Sequence, residues 1–203
     1  MNEPTDTIAP LRRFVVAMTE LVARTNDEPT LLAEGRQRLA HLLASDAWLP
    51  AAFSQPRDDR YAQYLLHADA LERFSVVSFV WGPGQRTPVH DHTVWGLVGV
   101  MRGEELCQEY ANAIAGKPMD QTGEHVCRPG DVDRVSPTIG DIHVVSNAGK
   151  STTAISIHVY GGNIGAVRRH TFDAATGAPK TFISGYNNTV TPNLWDRSKE
   201  TRA

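Results

Sequence analysis

The chain has 203 residues, with 20 Lys and Arg against 23 Asp and Glu, a formal charge of −3. That length suits one domain with a real core and is short for two. The interspersed, nearly balanced charge excludes the basic footprint of a nucleic-acid-binding protein, and no apolar run is long enough to span a membrane as a helix.

Residues 1–6 are polar and acidic, unlike a secretory signal. With only Cys107 and Cys127, and no Cys-x-x-Cys pair, the chain is expected to be cytoplasmic, its thiols reduced and buried. Leu11, Phe14, Val15, Met18, Leu21 and Val22 then repeat at helical spacing, with Pro10 suited to a first turn. A second helix is expected through Leu31, Leu32, Leu39, Leu42 and Leu43, capped by Asp27, with Gly35 as a weak point. Neither helix clusters potential ligands, so both read as packing elements.

From residue 61 the texture changes to short β-rich runs, at 61–67, 74–81, 94–101, 105–110, 144–146 and 153–160. Turn signals such as Gly82-Pro83-Gly84 and Pro129-Gly130-Asp131 separate them. Many short strands with Gly/Pro turns indicate an antiparallel sandwich or barrel. One domain over 1–203 is therefore expected, with 1–60 helical, 61–186 a β-barrel and 187–203 a polar surface tail whose last residues are disordered.

The most informative segment is Gly84-Gln85-Arg86-Thr87-Pro88-Val89-His90-Asp91-His92, answered later by His143. Positions i and i+2 of a strand share a face, so His90 and His92 can reach one ion. Three imidazoles with no evident thiolate suit a borderline divalent metal such as iron, zinc, copper or nickel.

These residues resemble the two motifs of the cupin superfamily. Gly84, five residues, His90-Asp91-His92, three residues, Gly96, six residues and Gly103 fit the first; Pro137, Gly140, His143 and Asn147 fit the second. The departure is Gly96, where most cupins have a ligand glutamate. The resemblance implies a cupin β-barrel with the N-terminal helices packed against it. A three-histidine site keeps the full charge of its dication, which favours an anionic substrate. Among cupins, such a site is similar to the cysteine dioxygenase-like thiol dioxygenases, which use non-haem Fe(II) to convert a thiol and O₂ into a sulfinic acid.

Ser156, His158 and Tyr160 alternate along one strand, so period two puts all three on one face. The thiol dioxygenases carry this Ser-x-His-x-Tyr pattern as a hydrogen-bond chain outside the metal ligands, its hydroxyl toward substrate and oxygen. An isolated His-x-His is often accidental, but three features coincide here. His41, His67, His125 and His170 lack such context and read as surface or structural residues.

Relatives that favour cysteine carry an early-strand arginine for the substrate carboxylate. Gln63 stands there, which resembles the bacterial branch associated with 3-mercaptopropionate. The cation then comes from Arg168 or Arg169, and alignment with the family favours Arg169. The mammalian cysteine–tyrosine thioether is not expected, since Gly96 occupies the corresponding region. The expected function is thus an Fe(II) thiol dioxygenase acting on 3-mercaptopropionate. The metal ligands are His90, His92 and His143, with Tyr160, His158 and Ser156 catalytic and Arg169 and Gln63 binding substrate. Cysteine dioxygenase and mercaptosuccinate dioxygenase are the alternatives within the class. A zinc cupin isomerase or a ligand-binding cupin are those outside it.

Overall fold

The computed structural model describes residues 8–197. The expectations for residues 1–6 and for the end of the tail lie outside the described residues. Two helices come first, α1 (Ala9–Arg24) and α2 (Glu28–Leu43). Eleven strands follow among the described residues: β1 (Ala62–Ala68), β2 (Ser75–Trp81), β3 (Val89–His90), β4 (Gly96–Arg102), β5 (Glu105–Tyr110), β6 (Gln121–Cys127), β7 (Val132–Val135), β8 (His143–Asn147), β9 (Ala154–Tyr160), β10 (Arg169–Phe172) and β11 (Pro179–Phe182).

The helices form where the apolar periodicity places them. Asp27 caps α2 by accepting from the Thr30 amide, and Pro29 sits in its first turn. Leu11, Met18 and Leu39 are withdrawn from water together with Leu97 of β4. Each contributes roughly 1.5–3 kcal/mol by burial. Gly35 is small for a packing reason. A Cβ there would meet Leu97 Cδ1 at 2.8 Å, and one at Gly99 would meet Leu43 Cδ1 at 2.6 Å. The two glycines let α2 lie close against β4.

The strands form two sheets rather than one closed barrel. The five-stranded sheet has the order β1-β2-β9-β4-β7 and the six-stranded sheet β11-β10-β3-β8-β5-β6. Every strand pair is antiparallel. One core lies between the helices and the five-stranded sheet. A second joins Val145 of β8 to Val77, Phe79, Trp81 and Tyr160 across the sheets. This is a mainly β arrangement of two antiparallel sheets with N-terminal helices packed against one of them.

Four strands, β6, β7, β10 and β11, were not legible as strands, and β3, expected to run through His92, stops at His90. β3 has two residues, β7, β10 and β11 four each, and β6 is polar and largely solvent-facing. Short or polar strands carry little alternation to read. The tail is largely exposed, as expected, but it is anchored. Asn187 and Asn188 side chains accept from the Gln63 and Leu65 amides, so the tail satisfies the free edge of β1. Leu194 enters the core.

Candidate metal centre and its cavity

β3 ends at His90, so strand alternation does not deliver His92. A pinned turn does. The His92 and Thr93 amides both donate to Asp141 Oδ2 at 3.0 Å. Asp91 accepts from the amide and Nδ1 of His170 at 2.6 and 2.8 Å. Thr93 takes a positive φ of 60° at the bend. His143 opens β8 as the register partner of His90. The three ring centroids lie 4.8–4.9 Å apart, and the candidate ligand atoms fall within 4.8 Å of one another.

The hydrogen bonds fix which nitrogen faces inward. His90 Nδ1 donates to the Pro88 carbonyl at 3.1 Å and His92 Nδ1 to Asp141 Oδ1 at 2.9 Å. His143 Nδ1 lies 3.5 Å from Cys107 Sγ. Among the described residues, no Nε2 of the three has a hydrogen-bond partner. Each ring is therefore held from behind with one lone pair free, the preparation a metal ligand needs. Burial and the neighbouring His92 and Arg169 hold His90 down to about 3, and His143 is likewise lowered, first by burial. Both stay neutral, as ligands must. Burial alone would raise Asp141, but its hydrogen bonds from His92 and Thr93 outweigh that and keep it ionised. Three buried imidazoles, each with a free Nε2, fit a divalent ion of intermediate softness such as Fe(II).

β9 is buried at every position between β2 and β4, so Ser156, His158 and Tyr160 face the interior. Tyr160 OH lies 2.7 Å from His158 Nδ1, and His158 Nε2 2.8 Å from Ser156 Oγ. Trp81 Nε1 donates to Ser156 Oγ at 3.2 Å. Phe79 stacks on His158 at 4.0 Å, and Tyr160 stacks on His92 at 5.5 Å. Burial lowers His158 and raises Tyr160, so the chain is neutral.

Gly96 is the cross-strand partner of Tyr160. A Cβ there would meet Tyr160 Cδ1 and Val135 Cγ2, each at 2.9 Å. The tyrosine ring thus fills the space a glutamate stem at this position would need.

A cavity of about 270 Å³ is lined by the three histidines, Tyr160, Gln63 and Arg169. Larger cavities of about 590 and 740 Å³ lie elsewhere, and neither reaches more than one of the three histidines. Arg169 is 3% exposed and packs over Phe182 at 4.7 Å. Its guanidinium donates to Ser184 Oγ at 2.8 Å, its Nε–H has no partner, and no carboxylate among the described residues pairs with it. Arg168 is exposed. Gln63 donates its amide hydrogens to Ser184 Oγ at 3.0 Å and the Gly185 carbonyl at 2.8 Å. Ser184, Asp141 and Lys180 had no signal in the sequence, and the pairing of Asp91 with His170 was not foreseen.

The cysteine dioxygenase type I family matches residues 6–173. A cysteine dioxygenase type 1 of Danio rerio is 24% identical over 144 residues, covering 70% of this chain and 66% of that protein, just under two thirds of its length. Among solved structures, a Thermus thermophilus protein is 19% identical with a TM-score of 0.43, covering 55% of this chain and 91% of its own. A cupin superfamily protein of Desulfitobacterium hafniense is 16% identical with a TM-score of 0.43, covering 57% and 90%. An oxalate oxidase bound to the substrate analogue glycolate is 18% identical with a TM-score of 0.44, covering 66% and 60%.

Proposed function

The chain belongs to the cysteine dioxygenase type I family, and from that premise we propose that it is a non-haem Fe(II) thiol dioxygenase acting on a small mercapto-carboxylate, 3-mercaptopropionate first. The observation that carries this reading is one cavity holding three convergent imidazoles and a buried, unpaired guanidinium. His90, His92 and His143 hold the ion. Iron(II), when bound, supplies the one-electron chemistry that lets O₂ react with a thiolate. The reaction is R–SH + O₂ → R–SO₂H, in which sulfur is oxidised, both oxygen atoms enter the product and no outside reductant is needed.

The chain's own residues bind and orient. Arg169 meets the substrate carboxylate with its free Nε–H, a charge-assisted bond in a site shielded from water. Gln63 already uses its amide hydrogens on Ser184 and Gly185, so it steadies the anchor of Arg169 rather than gripping the carboxylate. Tyr160 presents a neutral hydroxyl beside His92, oriented by His158 and in turn Ser156. Tyr61, Phe79 and Trp81 stack along the cavity wall and exclude water.

The lining also orders the substrates. It contains no aspartate or glutamate, so the ammonium group of cysteine has no anionic partner and faces Arg169. 3-Mercaptopropionate lacks that group. A second reading, mercaptosuccinate, draws on Lys180, a further cation on the same lining. The test is kcat/KM of the Fe(II)-loaded protein for the three thiols. 3-Mercaptopropionate should lead, and a clear preference for cysteine sinks the substrate assignment. A preference for mercaptosuccinate that Lys180→Ala abolishes establishes the second reading.

A further inference from the structure

Behind His143, on the side away from the cavity, lies a second group of metal-type donors. Cys107 on β5 and His125 on β6 are cross-strand partners, and Asp133 reaches them from β7 in the other sheet. Their donor atoms lie within 4.8 Å of one another. His125 Nε2 is 2.6 Å from Asp133 Oδ2, and Cys127 Sγ donates to the same oxygen at 3.1 Å. We propose that Cys107, Cys127, His125 and Asp133 form a second cation site, distinct from the three-histidine centre, for zinc or another thiophilic divalent ion.

A second observation points to a ligand there. Glu105, directly across from Cys127 on the same strand pair, is 2% exposed, and neither of its carboxyl oxygens has a hydrogen-bond partner. It lines a void of about 10 Å³ with Cys107, Cys127 and Asp133, closed by Val98, Val145 and the back of His143, while His125 stands outside it. That volume admits one water-sized atom or ion and nothing larger. Ser156 and Trp81 oppose the raised pKa of Glu105, yet neither meets hydrogen-bond geometry with it. A cation held by the four donors beside this void would bring a positive charge next to the orphan carboxyl. A coordinating thiol is deprotonated outright, so binding would release protons from the cysteines. Two sulfurs, an imidazole and a carboxylate match zinc's tetrahedral preference. The three-imidazole centre offers no sulfur, so ligand softness separates the two sites. His125 is 39% exposed, which leaves a route of entry.

The test uses Co(II) added to the full chain in a thiol-free buffer. A thiolate bound to cobalt gives a charge-transfer absorption, and the three-histidine centre has no thiolate to contribute one. The expected result is that band in the wild type, persisting in His90→Ala and lost in Cys127→Ser. The wild type should also bind zinc with a stoichiometry one higher than Cys127→Ser, and zinc should protect both thiols from alkylation. Absence of the band with excess cobalt overturns the proposal. So does a band that survives Cys127→Ser and vanishes in His90→Ala. If the serine variant does not fold, thiol protection in the wild type decides, and alkylation unaffected by zinc counts against the site.

Discussion

The two sheets serve the candidate centre in different ways. The six-stranded sheet offers histidines from the end of β3, the turn after it and the first residue of β8. Each is held from behind by its Nδ1 contact and keeps its other nitrogen free. The five-stranded sheet offers Ser156, His158 and Tyr160 from a strand flanked on both sides, their polar atoms linked into one chain. Free lone pairs suit a metal, while a linked chain suits positioning one hydroxyl. Changes on the first sheet should therefore remove metal, and changes on the second should leave metal and alter rate.

The largest expected effect comes from the first sheet. His90→Ala, His92→Ala or His143→Ala should lose iron and all dioxygenase activity, because three ligands are the minimum for a stable open site. Iron analysis after loading checks this, and a variant with stoichiometric iron and normal turnover would remove its residue from the ligand set.

Glu105, on β5, tests the seam between the sheets. Burial pushes its pKa up to about 8 from an ordinary 4.5, so the folded state holds its proton more tightly than the unfolded chain. That contribution to stability is complete below about pH 4.5 and is lost as pH rises to about 8, on the order of 5 kcal/mol across the window. In metal-free protein, denaturation of Glu105→Gln should lack that decline. Parallel pH profiles for wild type and variant would show that Glu105 is ionised throughout.

Tyr160→Phe probes the second sheet. It should retain iron and lose on the order of 10²-fold in rate, the typical result of deleting one catalytic hydrogen-bond donor. Unchanged kinetics would reduce the β9 face to a packing role. Arg169→Gln should lower kcat/KM for 3-mercaptopropionate by roughly ten- to a hundredfold, chiefly through KM, since a charge-assisted bond is lost. A neutral thiol such as 2-mercaptoethanol should be unaffected. An equal loss for both thiols would mean that Arg169 acts on packing rather than on the carboxylate. The smallest effect should be Gly96→Ala. Its Cβ presses on the Tyr160 ring, so iron is kept and the rate falls by a few-fold. A thermal shift with unaltered rate would show that the ring moves without consequence.

The sequence made the helices legible through their apolar period, with Gly35 as the one irregular position, and packing against Leu97 accounts for it. It also pointed to His90, His92 and His143, although the strand alternation invoked for the first pair is replaced by a turn pinned through Asp141 and Asp91. Ser156, His158 and Tyr160 were readable because β9 alternates cleanly over seven residues. Ser184 and Lys180 were not, because each reaches the cavity region from a segment with no local signature. The cysteines read as inert buried residues. Only the pairing of β5 with β6, and Asp133 arriving from the other sheet, brings them beside His125.

The central claim is that three free imidazole nitrogens and an unpaired guanidinium share one cavity in order to oxidise a mercapto-carboxylate. The most direct measurement is O₂ uptake by the Fe(II)-loaded protein with 3-mercaptopropionate, coupled to product analysis with isotopically labelled O₂. The account predicts one sulfinate formed per O₂ consumed, with both product oxygens carrying the label and no turnover when zinc replaces iron. Stoichiometrically bound iron with no O₂ uptake on any small mercapto-carboxylate would contradict it.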